Sequence, residues 1–174
     1  MHTVGIVVMS LDGCLTRHDE HGAEFASAGD QRFFRQVLTT FDCAIMGGGG
    51  YRAARDHILA NRSEKHLRIV LTRAPDRYAA EARPGILEFR SDDSVDAVRN
   101  LAERGYARCA LIGGARVLTG CVRARVLDEL WITLEPVAFG QGRRLFRGAV
   151  EFRFELLSTE LLGPSTLLLR YRPA

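Results

Sequence analysis

Twice in this chain a short apolar run stops at glycines and gives way to a helix-like segment. Cys43-Ala44-Ile45-Met46 leads into Gly47-Gly48-Gly49-Gly50 and then Tyr51 to Ala60; Cys109 to Ile112 leads into Gly113-Gly114 and then a short helix over Arg116 to Val122. Four consecutive apolar residues, too few for a core helix, fit a strand covered on both faces, which is the condition of strands in a parallel sheet. The rest of the chain follows the same grammar. Val4 to Met9 reads as a strand and Ser10 to Gly29 as a long polar loop. Asp30 reads as the N-cap of a helix whose apolar side is Phe33, Phe34, Val37 and Leu38. Strands are expected at Leu67 to Thr72 and Ile86 to Phe89, and a helix at Asp93 to Arg104 with Gly105 as its stop. After that the helices cease. Leu127 to Leu134, Phe152 to Leu161 and Thr166 to Tyr171 read as three strands, with Gly163-Pro164 turning between the last two. Repeated βα units followed by a hairpin predict a mostly parallel sheet with antiparallel strands at one edge, in one domain spanning 1–174.

Composition narrows the function classes. The 24 basic residues are scattered among 21 acids, so no basic block marks a nucleic-acid binder, although the net charge of +3 suits an anionic small ligand. Cys14, Cys43, Cys109 and Cys121 have neither CxxC spacing nor histidines at metal-ligand spacing, so no metal is expected. Cys43 and Cys109 open apolar runs and read as buried thiols. Val4 to Met9 lacks a basic leader and a cleavage site, and no apolar run approaches the roughly 20 residues of a membrane span. A cytoplasmic protein is expected, with no membrane or nucleic-acid partner.

Four places can carry chemistry. Glycines after a buried strand let the backbone approach a phosphate, with free helix N–H groups pointing at it; the bland alternative for Gly47 to Gly50 is a flexible turn. Gly113-Gly114 offers the same cradle or simply close packing, and two such turns in one sheet can border a common crevice. Thr72-Arg73 at a strand end can hold a phosphate monoester, or Arg73 is merely solvated. Ser10-Leu11-Asp12-Gly13 is a turn in its own right, Asp30 can be no more than a cap, and Asp56 no more than a helix-surface acid. The five histidines do not cluster, and no Ser/His/Asp or Cys/His arrangement stands out.

Taken together and in order, these segments resemble the dihydrofolate reductase-like superfold, and most of all the reductase domain of the riboflavin-biosynthesis protein RibD and its stand-alone relatives. The likeness rests on Ser10-Leu11-Asp12-Gly13, on Asp42 to Gly47, on Val70-Leu71-Thr72-Arg73 and on Ile112 to Val117. Its most specific block runs from Asp128-Glu129-Leu130 through Glu135-Pro136-Val137 and Phe139-Gly140-Gln141-Gly142 to Leu145-Phe146. The resemblance implies a three-layer α/β fold with a mostly parallel central sheet and an antiparallel C-terminal hairpin. It implies NADPH lying across Met9, Gly47 to Tyr51, Thr72-Arg73 and Gly113-Gly114-Ala115-Arg116-Val117-Leu118, and hydride transfer to a small heterocyclic or ribosylamino-pyrimidine substrate.

On the same resemblance Asp30 falls near the catalytic carboxylate of the folate reductases, while Asp12, Phe34, Asp56 and Ile112 border the substrate. Many relatives carry Gly-Arg-x-Thr-Tyr where this chain has Gly47 to Tyr51, so the phosphate grip is expected from backbone, Arg73 and Arg116. Ile112 stands where RibD-type reductases place a substrate-touching Glu, and Leu38 near an expected Arg. Reduction of another pterin-like or carbonyl substrate, or nucleotide binding without catalysis, therefore stay open. The apolar strands after Leu127 leave an edge that predicts a homodimer.

Overall fold

A computed structural model describes residues 1–174. The elements in chain order are β1 (His2–Ser10), α1 (Ala28–Leu38), β2 (Cys43–Gly47), α2 (Gly48–Ala60), β3 (Leu67–Leu71), β4 (Leu87–Arg90), α3 (Ser94–Glu103), β5 (Arg108–Ile112), α4 (Ala115–Arg123), β6 (Glu129–Glu135), β7 (Phe154–Leu161) and β8 (Leu167–Pro173). One turn of 3₁₀ helix at Pro75–Tyr78 follows β3. All eight strands form one sheet in the order β4-β3-β2-β5-β1-β6-β8-β7. The first six in that order are parallel, and β8 runs against both β6 and β7. The parallel sheet with a closing hairpin is therefore as the sequence led us to expect.

Each face of the sheet buries its own layer. Cys43, Ile45, Ile69, Cys109 and Leu111 point to one side, where Val98 and Leu101 of α3 and Leu118 and Cys121 of α4 close the core. On the other side Val4, Ile6, Ala44 and Ala110 meet Phe33, Phe34 and Val37 of α1, and Met46 and Val70 meet Tyr51 and Ile58 of α2. Strands covered on both faces need apolar residues at successive positions, which is why β2 and β5 read as unbroken runs. All four cysteines are buried and free. No helix is long and apolar enough to cross a membrane.

Local structure departs from expectation at three helix starts. The N-cap of α1 is Ser27, whose Oγ accepts the Asp30 N–H at 3.2 Å; Asp30 itself lies in the first helical turn. Phe33 and Phe34 set the apolar face in either case, and Ser27 caps as well as Asp does. The glycine run is not a loop: Gly47 is the cap residue and Gly48, Gly49 and Gly50 form the first turn of α2. Glycine's poor helix propensity hid this, and packing of Tyr51 and Ile58 against the sheet overrides it. α4 likewise begins one residue early, at Ala115.

Candidate functional site

The C-terminal ends of β2, β3 and β5 open into a cleft of about 950 Å³. Gly47 to Gly50, Thr72-Arg73 and Gly114 to Val117 all line it. Gly113 and Gly114 both have positive φ, 60° and 85°, which turns the chain sharply enough to aim the start of α4 back at α2. The two turns meet there: a Cβ on Gly114 would sit 3.9 Å from the Gly47 nitrogen. The expected pairing of the glycine turns at one crevice is thus a feature of the fold.

The helix starts divide into two kinds. α1 and α3 are capped by side chains, Ser27 and Asp93, the latter accepting the Val95 and Asp96 N–H groups at 2.8 and 2.9 Å. α2 and α4 have no side-chain cap. An uncapped helix N-terminus leaves N–H donors and a partial positive charge for an anion to satisfy. Both uncapped starts face the cleft.

Arginines complete the charge. Arg52 comes from α2, Arg73 follows β3, Arg116 and Arg123 lie on α4, and Arg143, Arg144 and Arg147 come from the segment between β6 and β7. None of these seven forms an ion pair with a carboxylate. The two acids of the wall are engaged elsewhere: Asp92 pairs with Arg90 at 2.8 Å and Asp93 caps α3. Such a cleft is complementary to a ligand carrying several phosphates, so its residues fit a dinucleotide. Sequence reading singled out only Arg73 and Arg116. The other five are spread over three elements, and Arg143-Arg144 fall inside the block from Phe139 to Phe146 that carries the family resemblance.

Other expected cofactor residues do not reach the cleft. Tyr51 is fully buried beneath it, its phenol donating to Glu81, which also accepts from Arg55 at 2.7 Å; burial first, then Glu81, holds that phenol well above the ordinary tyrosine range. Leu118 is in the core against β1, and half-buried Met9 packs on the same core. Gly113 shapes the turn without lining the cleft. Of the residues expected at the substrate, Phe34 and Ile112 each pack against the apolar cluster on the α1 side of the sheet. Asp56 is on the outer surface of α2 with its side chain 97% exposed, in a shallow dent of its own. Asp12 is a loop fastener. Its carboxylate accepts the Ser10 hydroxyl at 2.5 Å and the N–H groups of Gly140 and Phe139 at 2.6 and 3.1 Å, and the Ser10 bond leads in holding its carboxyl below the usual range.

Asp30 is buried beside Thr133 and Glu135 at the C-terminal end of β6. Burial, then the neighbouring charge of Glu135, pushes its carboxyl above the usual range, against a bond from the Thr133 hydroxyl. Glu135 was missed as a functional candidate. It is 2% exposed and accepts the Ser27 N–H at 2.8 Å and the Thr166 hydroxyl at 3.0 Å, tying the start of α1 to the end of β6. Its signal in the sequence was a lone acid ending an apolar strand.

A family model described as the RibD C-terminal domain matches residues 6–168. No curated protein matches the sequence. Among solved structures, a putative riboflavin biosynthesis protein from Shewanella sp. PV-4 superimposes with a TM-score of 0.70 at 19% identity, over 100% of this chain and 99% of that one. The diaminohydroxyphosphoribosylaminopyrimidine deaminase/5-amino-6-(5-phosphoribosylamino)uracil reductase from Thermotoga maritima gives 0.78 at 18%, over 99% of this chain but 56% of the larger protein. Dihydrofolate reductase from Enterococcus faecalis, solved with NADP(H), gives 0.71 at 16%, over 99% and 96%. At these identities the likeness is one of fold, and it covers the whole chain.

Proposed function

The chain belongs to the RibD C-terminal domain family, and on that premise we propose that it is an NADPH-dependent reductase of a small heterocyclic substrate, with the ribosylamino-pyrimidine intermediate of riboflavin biosynthesis as the first candidate. The observation that carries the reading is the cleft itself: two uncapped, glycine-lined helix starts and seven arginines without carboxylate partners face one volume. The cofactor, when bound, supplies a hydride from its nicotinamide. The chain's own residues bind and orient. The N–H groups of α2 and α4 take the diphosphate, and Thr72 with Arg73 takes the 2′-phosphate that distinguishes NADPH from NADH. Asp30, buried and held protonated more readily than an ordinary aspartate, donates a proton to the substrate atom next to the carbon being reduced. Phe34 and Ile112 supply apolar walls.

The apolar residue at Ile112 favours a second reading, reduction of a related heterocycle or carbonyl compound without the pyrimidine's sugar; binding without turnover is the third. Mixing the protein with NADPH and 5-amino-6-(5-phosphoribosylamino)uracil, and following loss of NADPH absorbance, decides among them. Steady oxidation supports the pyrimidine assignment. No oxidation with this or other heterocycles, in a protein that binds NADPH, leaves only the binding role. The reading also has the protein in the cytoplasm, where four free thiols stay reduced, and working as a homodimer joined along β7. That strand ends the sheet and exposes Leu156, Leu157 and Leu161.

A further inference from the structure

The glycine run leaves α2 without side chains at the point where a phosphate would dock. What stands over that point is Arg143. A Cβ on Gly49 would lie 3.4 Å from its Nη1, so the guanidinium is packed directly on the bare first turn of the helix. Its backbone is fixed from two sides: the Leu15 N–H donates to the Arg143 carbonyl at 2.7 Å, and the Arg143 N–H donates to Thr16 Oγ1 at 3.1 Å. The residue before it admits no side chain, since a Cβ on Gly142 would lie 2.2 Å from the Thr16 carbonyl oxygen. The segment is therefore held close enough for Arg143 to reach across to α2. The guanidinium itself has no carboxylate partner, and its one recorded side-chain bond is to His21 Nδ1, at 2.8 Å.

We propose that Arg143 clamps the cofactor's diphosphate onto the N-terminus of α2, in place of the side chains that Gly48 and Gly50 lack. The proposal rests on the NADPH reading and adds to it a residue and a subsite. It assigns the diphosphate and not the 2′-phosphate because Gly49, beneath Arg143, belongs to the turn that abuts the start of α4, where two helix dipoles favour the same anion. Arg73 comes from the end of β3 instead. A Cβ on Gly49 would stand at the limit of ordinary contact with the guanidinium, the end of a flexible side chain.

The test is a set of equilibrium titrations, by cofactor fluorescence, of NADPH and NADH into the purified protein. Arg143→Ala is expected to weaken both cofactors by the same factor, about ten- to a hundredfold for a lost charge-assisted hydrogen bond. Arg143→Lys should recover part of that loss, and Arg73→Ala should weaken NADPH alone. His21→Ala removes the only competing side-chain bond and should leave both affinities near wild type. Unchanged melting temperatures without cofactor show that the variants fold. Wild-type affinity for both cofactors in Arg143→Ala overturns the proposal, and loss confined to NADPH overturns the diphosphate assignment. A wild-type protein that binds neither cofactor is a different result: it defeats the NADPH reading and the clamp with it.

Discussion

Asp30 shows how a single residue can be costly to the fold and useful to the site. Its carboxyl is buried, and both burial and Glu135 oppose its ionisation. Because its proton affinity is higher in the folded chain than in the unfolded one, protonation favours folding. That contribution is complete at pH below the ordinary carboxylate range and is lost as pH rises through the raised folded value. Asp30→Asn removes the charge and with it the penalty. Thermal melts should therefore show the variant more stable than wild type near pH 7, with the gap closing toward about pH 3. The same variant should keep its NADPH affinity and lose turnover by about 10² to 10⁴, the range for a general acid. Equal turnover would remove Asp30 from the chemistry. Glu135→Gln should lower the pH at which Asp30 titrates, moving the alkaline limb of the activity profile, where the general acid loses its proton, to lower pH; an unmoved limb would show that the two carboxyls do not interact.

Among the elements, the two loops at the site hold each other. Asp12 fastens the Phe139–Gly140 turn, and Gly142 lies against Thr16 and Cys14. Asp12→Ala should leave the global melt nearly unchanged while speeding amide hydrogen exchange at Phe139 and Gly140; unchanged exchange there would mean the turn is held by other contacts. Gly142→Ala has no space for its methyl group and should cost about 1–3 kcal/mol in denaturant unfolding. Much at this scale was legible in the sequence. Continuous apolar runs gave away β2 and β5 because strands covered on both faces are apolar at successive positions, and the pairing of the two glycine turns followed from their places at strand ends. What was not legible depended on distance across the fold. Arg143 is far along the chain from the glycines it covers, and Glu135 becomes notable only when the chain brings Ser27 and Thr166 to it. The family resemblance implies Tyr51 and Leu118 at the cofactor, but helical geometry rotates both into the core.

For the whole molecule, the order of the sheet explains the division of labour. Three parallel strands, β2, β3 and β5, deliver the helix starts and loops that form the arginine-lined cleft, while the buried carboxyls are Asp30 of α1 and Glu135 at the end of β6. The opposite end is finished by β8 and β7, which leaves an apolar edge strand. Pairing of two such edges predicts a dimer. Light scattering should give twice the chain mass for the wild type and a monomer for Leu161→Glu combined with Leu156→Lys. A wild-type monomer at micromolar concentration would contradict the edge pairing.

The central claim is that the cleft between the starts of α2 and α4 takes NADPH. Calorimetric titration of the wild-type protein with NADPH, paired with a melt in its presence, tests this directly. The account predicts one site per chain, affinity that falls as salt rises because arginines supply much of the grip, and a melting temperature that increases with cofactor concentration. No heat of binding and an unmoved melting temperature at millimolar NADPH would contradict it.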